Sequence, residues 1–491
     1  MSKKIKIIMD NVYARVEGAS KKIENVIWNE LSFQIEEFQA QNVRRRHLFN
    51  RKTKKTYTGL VDYVKRILNE YGEQFEIIDN RVKPKSNGNF KLVDTIKVHG
   101  KDIPLKARPY QKEVIDNCEE REVIQAATGA GKTFVMAALI AKFNVKRVAV
   151  FADKLSLCSQ IKEEFEKFLG VPIGIVGGGM EQREDITVFS VQSATKEDVK
   201  DAQMILFDEC HHLPSNTMNQ VARWAKDAYY RIGVSATPWR DGGDDLLIEA
   251  VLRKKKSENA ISASKLINLG YLVPPTIYFV PFKQTFKGKN YHKVYEKAIA
   301  YNDDRNAAIV KIANKMYKTK DRTTLILIQR VEHGEILKEL MEKKIKPEKF
   351  TITVEHPKSG EPTMVRISNI EFVSGQDGPL RRKAVIEGAK QKLVKVLIGS
   401  TIADEGLDVP ALDCLILAGG GKSSTRAYQR IGRVLRNYKN PKTNYTKERA
   451  IVFDFVDYTP MLRRHSRIRE RLYREEEAWE IKFLNPKLIM D

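Results

Sequence analysis

The stretch REVIQAATGAGKTFVMAALIAKF, Arg121 to Phe143, passes from a short apolar run through a glycine-rich turn into a long segment with helical spacing. This order is typical of a phosphate-binding loop, where main-chain N–H groups at the start of a helix face phosphates. The glycines let the main chain approach closely, Lys132 can reach the β- and γ-phosphates, and Thr133 offers a hydroxyl to Mg²⁺. We therefore predict that ATP is bound by Thr128, Gly129, Ala130, Gly131, Lys132 and Thr133.

Short apolar runs alternate with longer helical patterns after this loop. The runs KRVAVFA, ITVFSV, MILFDE and YRIGVSA follow it, and TLILIQ, IEFVSG, VKVLIGS, DCLILAGG and AIVFDF come after an interruption near RKKKSENAISASK. Strands that alternate with helices favour a parallel sheet covered on both faces. The sequence thus predicts two α/β domains in tandem, preceded by a small α+β region and followed by a short helix.

An apolar run that ends in two acids, ILFDECHHL (Ile205 to Leu213), lies some 75 residues beyond the loop lysine. In-line attack on a γ-phosphate requires a metal clamp and a group that orients the attacking water. We assign Mg²⁺ binding to Asp208, together with Thr133, and the orientation of water to Glu209. His211 is interpreted as a polar contact between the ATP site and neighbouring segments.

The same stretch also resembles a metal cage, because Cys210, His211 and His212 follow the two acids. A zinc site needs three or four ligands that converge tetrahedrally. If the strand continued, Cys210 would point to the opposite face from its neighbours, and no other Cys or His pair supplies the remaining ligands. The zinc interpretation is therefore the minor alternative.

The balance of charge favours a polyanionic partner. The 491 residues carry a net charge of +23, and the segment RRRHLFNRKTKK (Arg44 to Lys55) contains seven basic residues and no acid. A second cluster, LRRHSRIRERLYR, lies near the C-terminus. Because phosphate contacts release counterions, we expect nucleic acid to bind basic clusters, with Arg44, Arg45 and Arg46 among the contacts. A basic surface that serves only solubility is the simpler alternative.

The remaining bulk features indicate where the protein works. The four cysteines form no CxxC pair, which fits a reducing compartment. The sequence contains no run of 18 apolar residues, so no membrane span is expected. The N-terminus lacks the sustained apolar stretch of a secretory signal. We expect a cytoplasmic monomer.

Taken in order, ATGAGKT and DECH resemble the corresponding motifs of superfamily 2 helicases of the DExH kind. RPYQ, FADKLSLCSQ, TVFSVQS and SAT occupy the expected places around them, and LILIQRVEHGEIL, FVSGQ, VLIGSTIADEGLDVP and QRIGRVLR follow in the second domain. The resemblance implies two RecA-like motor domains that use ATP and Mg²⁺. Within this superfamily, the small N-terminal region and the placement of GGG (Gly177 to Gly179), SKLINLGYLVPP and NDDRN resemble the phage UvsW-like branch-migration helicases. If the gene belongs to a phage, the protein is expected in the host cytoplasm.

The resemblance carries roles over to individual positions. Additional ATP contacts are implied for Arg108, Gln111, Gly406 and Asp408. Coupling of hydrolysis to movement is implied for His211, Ser235, Ala236 and Thr237. Strand contacts are implied for Lys154, Gln192, Ser193, Arg330, Ser374, Gly375, Gln376, Ser400 and Thr401. Catalytic contributions from the second domain are implied for Gln429, Arg433 and Arg436.

The two arginines of QRIGRVLR have their own physical rationale. Arg433 and Arg436 are three residues apart, so on a helix they would share a face. A guanidinium from a second domain can stabilise charge that builds on the γ-phosphate. The simpler alternative is a basic helix face.

One segment departs from the family pattern. Residues 349–369, KFTITVEHPKSGEPTMVRISN, stand where a short connection is expected. The alternating β-branched residues on each side of a turn-rich centre predict a β-hairpin that projects from the second motor domain. We hypothesise that it meets duplex DNA at a fork; a surface decoration is the alternative.

These observations predict a DNA helicase or translocase that unwinds or branch-migrates forked and junction DNA in replication, recombination or repair. The alternatives are an RNA helicase, a duplex translocase that does not unwind, and a DNA-binding scaffold without catalysis. Replication or recombination proteins are possible partners. The expected domains are 1–97 (basic, DNA-binding), 98–274 (first motor domain), 275–459 (second motor domain) and 460–491 (basic helix).

Overall fold

The computed structural model forms two compact units, Met1–Ile261 and Ser262–Asp491. Across the described chain, no helix combines the length and apolar character needed to cross a membrane. The residues that the structure describes are 4–35, 44–98, 100–238, 244–253, 260–283, 286, 288, 290–318, 322–356, 360–400, 409–420, 424–440, 443 and 445–484.

The N-terminal region is built around a four-stranded sheet with two helices against one face. Apolar and polar residues alternate along the strands, so Ile5, Ile7 and Met9 are buried under the helices while Lys6 stays exposed. Its elements are β1 (Ile5–Met9), β2 (Tyr13–Glu17), α1 (Lys21–Glu30), β3 (Ser32–Ile35), β4 (Arg44–His47), β5 (Lys55–Tyr57), α2 (Val61–Glu70), β6 (Phe75–Asp79), β7 (Thr95–Val98) and β8 (Lys101–Pro104). The sheet order is β5-β2-β1-β6, while β3–β4 and β7–β8 are separate antiparallel pairs.

The first motor domain is an eight-stranded sheet whose central strands are parallel and fully buried. Its elements are α3 (Pro109–Asn117), β9 (Arg121–Ala126), α4 (Lys132–Phe143), β10 (Val148–Ala152), α5 (Leu155–Leu169), β11 (Gly174–Gly177), β12 (Met180–Gln182), β13 (Ile186–Ser190), α6 (Lys196–Val199), β14 (Met204–Asp208), α7 (Asn216–Trp224), β15 (Tyr230–Ser235), α8 (Leu246–Val251) and β16 (Ala260–Ile261). The strand order is β12-β11-β13-β10-β14-β15-β9-β16, and only β12 runs antiparallel to its neighbour. The predicted parallel sheet is therefore present.

The N-terminal region shares a core with this motor domain. Leu247 and Ala250 of α8 join the buried cluster formed by the N-terminal sheet and helices. The main chain of Gly59 lies so close to α8 that an added Cβ would stand 2.2 Å from the Glu249 carbonyl oxygen. Arg121 ties the two parts further, since its guanidinium donates to the carbonyls of Asn11 and Val251. Residues 1–97, expected as a domain of their own, thus fold as part of the first unit.

The second unit contains a seven-stranded sheet in which every described pairing is parallel. Its elements are α9 (Ala263–Asn268), β17 (Pro275–Phe282), α10 (Tyr291–Tyr295), α11 (Asp303–Lys318), β18 (Thr324–Leu327), α12 (Val331–Lys344), β19 (Lys349–Glu355), β20 (Pro362–Ser368), β21 (Ile370–Val373), α13 (Pro379–Lys390), β22 (Val396–Gly399), β23 (Cys414–Leu417), α14 (Ser424–Val434), β24 (Ala450–Asp457), α15 (Pro460–Arg474) and β25 (Glu480–Phe483). The order is β21-β22-β18-β23-β24-β17-β25. Two tandem α/β domains of RecA-like type are thus present, as the sequence predicts.

The second unit begins earlier than the expected boundary between residues 274 and 275. Ser264 at the start of α9 donates to the Glu476 carboxylate, and Leu272 forms a β-bridge with Arg436. These contacts attach residues 262–274 to the second sheet.

The C-terminal segment 460–491, expected as a basic helix, is helical only in part. The helix α15 ends at Arg474, and β25 then adds a strand to the sheet edge beside β17. Arg469 of the basic cluster is buried in an ion pair with Asp454, where Tyr473 also donates to the carboxylate. At least this arginine therefore stabilises the fold instead of presenting charge to a partner.

Within the predicted segment 349–369, strands β19 and β20 pair in antiparallel fashion, and seven residue pairs face each other from Lys349–Ser368 to Glu355–Pro362. The hairpin does not project freely, however, because it lies against α13. Ile352, Val354 and Ile367 are buried, and the Ile367 side chain packs onto Gly388 of α13. The correction follows from the alternation itself, since one apolar face of a hairpin needs a surface to cover it.

Candidate active site

The predicted motifs of the first unit lie along one edge of its sheet. The phosphate loop follows β9, the SAT motif follows β15, and DECH follows β14; these are three neighbouring strands. Because the strands are parallel, their carboxyl ends meet at the same edge, where open α/β sheets bind ligands. The next strands in the order, β10 and β13, end at the segments predicted to contact a nucleic-acid strand.

The phosphate loop has the backbone geometry of an anion cradle. Gly129 and Gly131 adopt φ of +88° and +78°, a region that side chains avoid, immediately before α4 begins at Lys132. Successive N–H groups in such turns form concave anion sites. Thr128 is partly exposed in the loop, and the peptide of Ala130 is buried below it.

The segment RPYQ holds the loop from beneath. Gln111 donates from Nε2 to the Ala130 carbonyl at 2.9 Å, while its Oε1 accepts from the Arg108 main-chain N–H at 2.9 Å. Tyr110 donates to the same Ala130 carbonyl at 3.3 Å and accepts from the Arg108 guanidinium at 2.9 Å. Arg108 and Gln111 are thus placed at the loop, and Tyr110 is a third contact that the assignments omitted. The sequence feature that could have indicated Tyr110 is its position between Arg108 and Gln111 in the RPYQ motif.

The acids of DECH converge on the loop lysine. Lys132 pairs with Glu209, whose second oxygen accepts from the Ser235 hydroxyl at 3.0 Å. The His211 Nδ1 lies 2.9 Å from the same hydroxyl and 3.2 Å from Glu209. The SAT motif therefore touches DECH directly, with Thr237 donating its main-chain N–H to Ser235 and Ala236 accepting from the Gln125 amide. His211 occupies the position of a contact between segments that its assignment describes.

The strand β14 ends at Asp208, so Cys210 does not follow the strand alternation that the sequence suggested. Glu209 adopts a left-handed conformation with φ of +49°, and Cys210–His212 form one 3₁₀ turn. Cys210 is buried against Gly233, whereas His211 faces Ser235. Among the residues that the structure describes, no three His, Cys, Asp or Glu side chains are grouped so that they could hold a metal ion.

The two acids have opposite electrostatic environments. Burial raises the pKa of Asp208 to about 6, against the opposing effect of the Lys132 ammonium. Burial also acts on Glu209, but the charge of Lys132 and the hydrogen bond from His211 keep its pKa below the ordinary value. Glu209 is therefore charged at neutral pH, whereas the charged form of Asp208 is disfavoured by burial and would be stabilised by a bound cation.

The donor set fits Mg²⁺ held jointly with nucleotide phosphates. Mg²⁺ favours one or two carboxylates plus phosphate and water oxygens over an all-protein cage. Asp208 supplies the carboxylate at the end of β14, and Thr133 lies in the first turn of α4. The raised pKa of Asp208 is the observation that favours a cation there, because a divalent ion would offset the cost of its negative charge.

The predicted strand contacts of the first unit also gather at this edge. Lys154 precedes α5 directly after β10. After β13, Gln192 accepts from the Ser190 hydroxyl at 2.8 Å and donates to Asp153 at 3.4 Å, while Ser193 closes a main-chain turn onto Ser190. Two neighbouring strand ends thus present these residues together.

The second unit repeats this arrangement on β21, β22 and β18, which are adjacent. Arg330 follows β18 and lies over the Tyr295 ring at 5.3 Å. Ser374 is buried after β21 and bonds to Asp377, while Gly375 and Gln376 are exposed beside it. Ser400 follows β22 and is buried. Thr401, Gly406 and Asp408 lie outside the described residues.

The sequence predicts that Arg433 and Arg436 share a helix face, and this prediction is wrong. Gln429 and Arg433 lie on α14, but α14 ends at Val434, and Arg436 forms a β-bridge with Leu272. Directly after the helix, the Leu435 carbonyl accepts from the Val273 N–H. All three side chains are partly exposed.

The basic N-terminal segment is only partly available for a partner. Arg51 lies over the Trp28 ring at 4.2 Å and bonds Asn25, and Lys54 pairs with Glu24. Arg44 begins β4, where Arg45 is exposed and Arg46 partly exposed. Arg45 and Arg46 therefore present charge, while Arg51 and Lys54 make contacts within the fold.

Comparison with known proteins shows which families the chain resembles. The family "Type III restriction enzyme, res subunit" matches residues 104–240, and "Helicase conserved C-terminal domain" matches residues 304–438. The ATP-dependent DNA helicase uvsW of Enterobacteria phage T4 is 24% identical over 430 residues, covering 81% of this chain and 78% of the relative. The DNA 3'-5' translocase XPB2 of Sulfurisphaera tokodaii is 27% identical over 356 residues, covering 68% and 79%.

A solved structure supports the fold alone. A fragment of an HsdR subunit of a type I restriction enzyme from Vibrio vulnificus YJ016 aligns over 98% of this chain and 85% of its own, with a TM-score of 0.55 and 16% identity. One matched range lies within each unit, and each range contains motifs assigned from sequence. The chain is therefore an ATP-dependent helicase of superfamily 2 that resembles the phage UvsW helicases.

Proposed function

We propose that this helicase acts on DNA, and that it unwinds or branch-migrates forked and junction DNA in replication, recombination or repair. The observation that carries the proposal is the row of strand ends in the first unit. The ends of β9, β15 and β14 hold the ATP residues, and the adjacent ends of β10 and β13 hold Lys154, Gln192 and Ser193. The names of the relatives, a DNA helicase and a DNA translocase, favour DNA over RNA.

Within this proposal the residues divide the work of hydrolysis. Asp208 and Thr133 would hold Mg²⁺, and the bound ion would neutralise phosphate charge. Lys132 exchanges its partner Glu209 for the phosphates, which frees that carboxylate to orient water. The Ser235 hydroxyl contacts both Glu209 and His211. A movement of the Glu209 carboxylate would therefore displace Ser235, the first residue of the SAT motif. Arg433 and Arg436 stabilise developing charge in the same proposal.

The test compares ATP turnover on single-stranded, duplex, forked and four-way DNA, and on RNA of matched sequence. We expect the largest stimulation from branched DNA, and loss of all stimulated turnover in Lys132→Ala with DNA binding kept. Greater stimulation by RNA would replace DNA with RNA as the substrate. Turnover that ignores every nucleic acid would contradict the proposal as a whole.

A duplex translocase that does not unwind is the second candidate. It is favoured by the match of residues 104–240 to a restriction-enzyme motor family and by the relative named as a translocase. Displacement of a triplex-forming oligonucleotide from duplex DNA, measured beside fork unwinding, separates the two. Displacement without unwinding would assign the translocase activity.

A further inference from the structure

The outer face of the N-terminal sheet combines aromatic and basic side chains that the ATP site does not use. Tyr13 on β2 faces Tyr57 on β5, with ring centroids 5.5 Å apart and planes tilted by 40°. In the next row Lys55 faces Arg15, and both are exposed. We call Tyr13, Tyr57, Lys55 and Arg15 the sheet platform.

The strand alternation explains why these four side chains share a face. On β2, Ala14 and Val16 are buried, so Tyr13 and Arg15 point away from the helices. On β5, Thr56 is buried between Lys55 and Tyr57 in the same way. Inward residues make the core, and outward residues make a surface that α1 and α2 leave open.

The cations on this face have different neighbours. Lys6 pairs with Glu76, and Arg15, which faces Lys55 across the strand pair, pairs with Glu17. Lys55 lies 5.9 Å from the Tyr13 ring centroid, an exposed contact that a ligand can displace. Lys55 therefore places a positive charge beside the aromatic pair.

One further arginine reaches the platform from another element, because Arg223 lies one helical turn after Asn219, the residue that Tyr57 contacts. Arg223 is exposed on α7 of the motor domain, and Tyr57 donates to Asn219 of that helix at 3.5 Å. The platform is thus continuous with the motor domain, whose DECH and SAT segments flank α7 in the chain.

We propose that the sheet platform binds single-stranded nucleic acid, with bases stacked on Tyr13 and Tyr57 and phosphates held by Lys55 and Arg223. Aromatic side chains on a sheet surface beside cations are the general means of holding splayed bases, which a duplex keeps inside its stack. The face thereby gives the motor a contact with the strand released beside a branch point. This inference rests on the proposed function only for the choice of DNA as the source of the strand.

The test replaces both tyrosines together with apolar side chains. Tyr13→Leu/Tyr57→Leu removes the π faces, whereas Tyr13→Phe/Tyr57→Phe keeps them and serves as the matched control. Binding of labelled oligo-dT, oligo-rU and a duplex is measured by fluorescence anisotropy, with thermal unfolding as the check on folding. We expect roughly tenfold or greater loss of oligo-dT affinity in the leucine pair, and near wild-type affinity in the phenylalanine pair.

Charge variants test the phosphate contacts independently. Lys55→Gln with Arg223→Gln should flatten the slope of log affinity against log salt by up to about 0.7 per lost contact with a single strand. Lys21→Ala, an exposed charge on α1, is the control and should leave the slope unchanged.

The outcomes separate this inference from the proposed function. Leucine variants that bind oligo-dT as tightly as the phenylalanine variants would overturn the platform, even with branched-DNA turnover intact. A loss confined to the duplex would overturn it as well. Equal sensitivity with tighter oligo-rU binding would support the platform and assign its strand to RNA.

Discussion

Gly233 on β15 stands at a contact that only glycine permits, and replacing it with alanine should disturb the catalytic acid. An added Cβ would lie 2.5 Å from the Cys210 Cβ and 2.4 Å from the Leu252 Cδ1. The leucine methyl can rotate away, but the Cβ of Cys210 is fixed by its main chain. Cys210 directly follows Glu209, so relief of the clash must move the acid.

The size of the effect follows from these two contacts. Overpacking a buried site costs about 1–3 kcal/mol, and in a unit of this size that lowers the unfolding temperature by roughly 3–10 °C. A displacement of about 1 Å in a catalytic group can reduce turnover by about a hundredfold. Glu209 is held between Lys132 and Ser235, so a shift at Cys210 acts on both contacts.

The assay is thermal unfolding together with DNA-stimulated ATP turnover. Gly378→Ala is the matched control, because no atom lies within 4 Å of a Cβ there and its φ of −63° suits any residue. Adding Cys210→Gly to Gly233→Ala should restore part of the turnover, and the double-mutant cycle measures the coupling. If Gly233→Ala unfolds and hydrolyses ATP like the wild type, the steric link between β15 and the acid is refuted.

Three further predictions concern the site and the surfaces around it. Asp208→Asn should gain stability over the nucleotide-free wild type as pH rises from about 4 to about 7, because a pKa raised to about 6 makes the wild type lose stability across that interval; an unfolding-temperature difference independent of pH would contradict the buried-acid assignment. Arg45→Gln with Arg46→Gln should flatten the salt dependence of duplex binding by up to about 0.9 per lost contact, and an unchanged slope would assign these arginines to a solvated face. Met364→Glu, at a hairpin position 77% exposed, should keep stimulated ATP turnover and unfolding temperature but slow fork unwinding; unwinding at the normal rate per ATP would remove the hairpin as the separating element.

The motif chemistry could be placed from sequence because each motif is local. A strand, a glycine turn and a lysine within about a dozen residues fix a phosphate loop wherever the sheet is built. The same is true of Asp208, whose carboxylate had to follow an apolar strand. The left-handed conformation of Glu209 could not be read, because it depends on the contact of Cys210 with Gly233 on another strand.

Strand β17 shows why some elements escape a reading of local pattern. Its sequence PTIYFVPF contains two prolines, which argue against a central strand because proline lacks the N–H of the ladder. Pro275 opens the strand, and β25 pairs with β17 only from Thr276 to Phe279. Pro281 therefore lies beyond the part of β17 that pairs on that side, and the strand tolerates it.

The core shared between the N-terminal sheet and α8 has a consequence for synthesis of the chain. Leu60 and Val64 become covered only after Leu247 and Ala250 have been made. At ribosomal rates of about 5–20 residues per second, the intervening ~180 residues take roughly 9–36 s. During that interval the apolar surface that later packs against α8 is exposed in the nascent N-terminal segment. Its solubility on the ribosome then depends on chaperones or on non-native contacts that bury this surface.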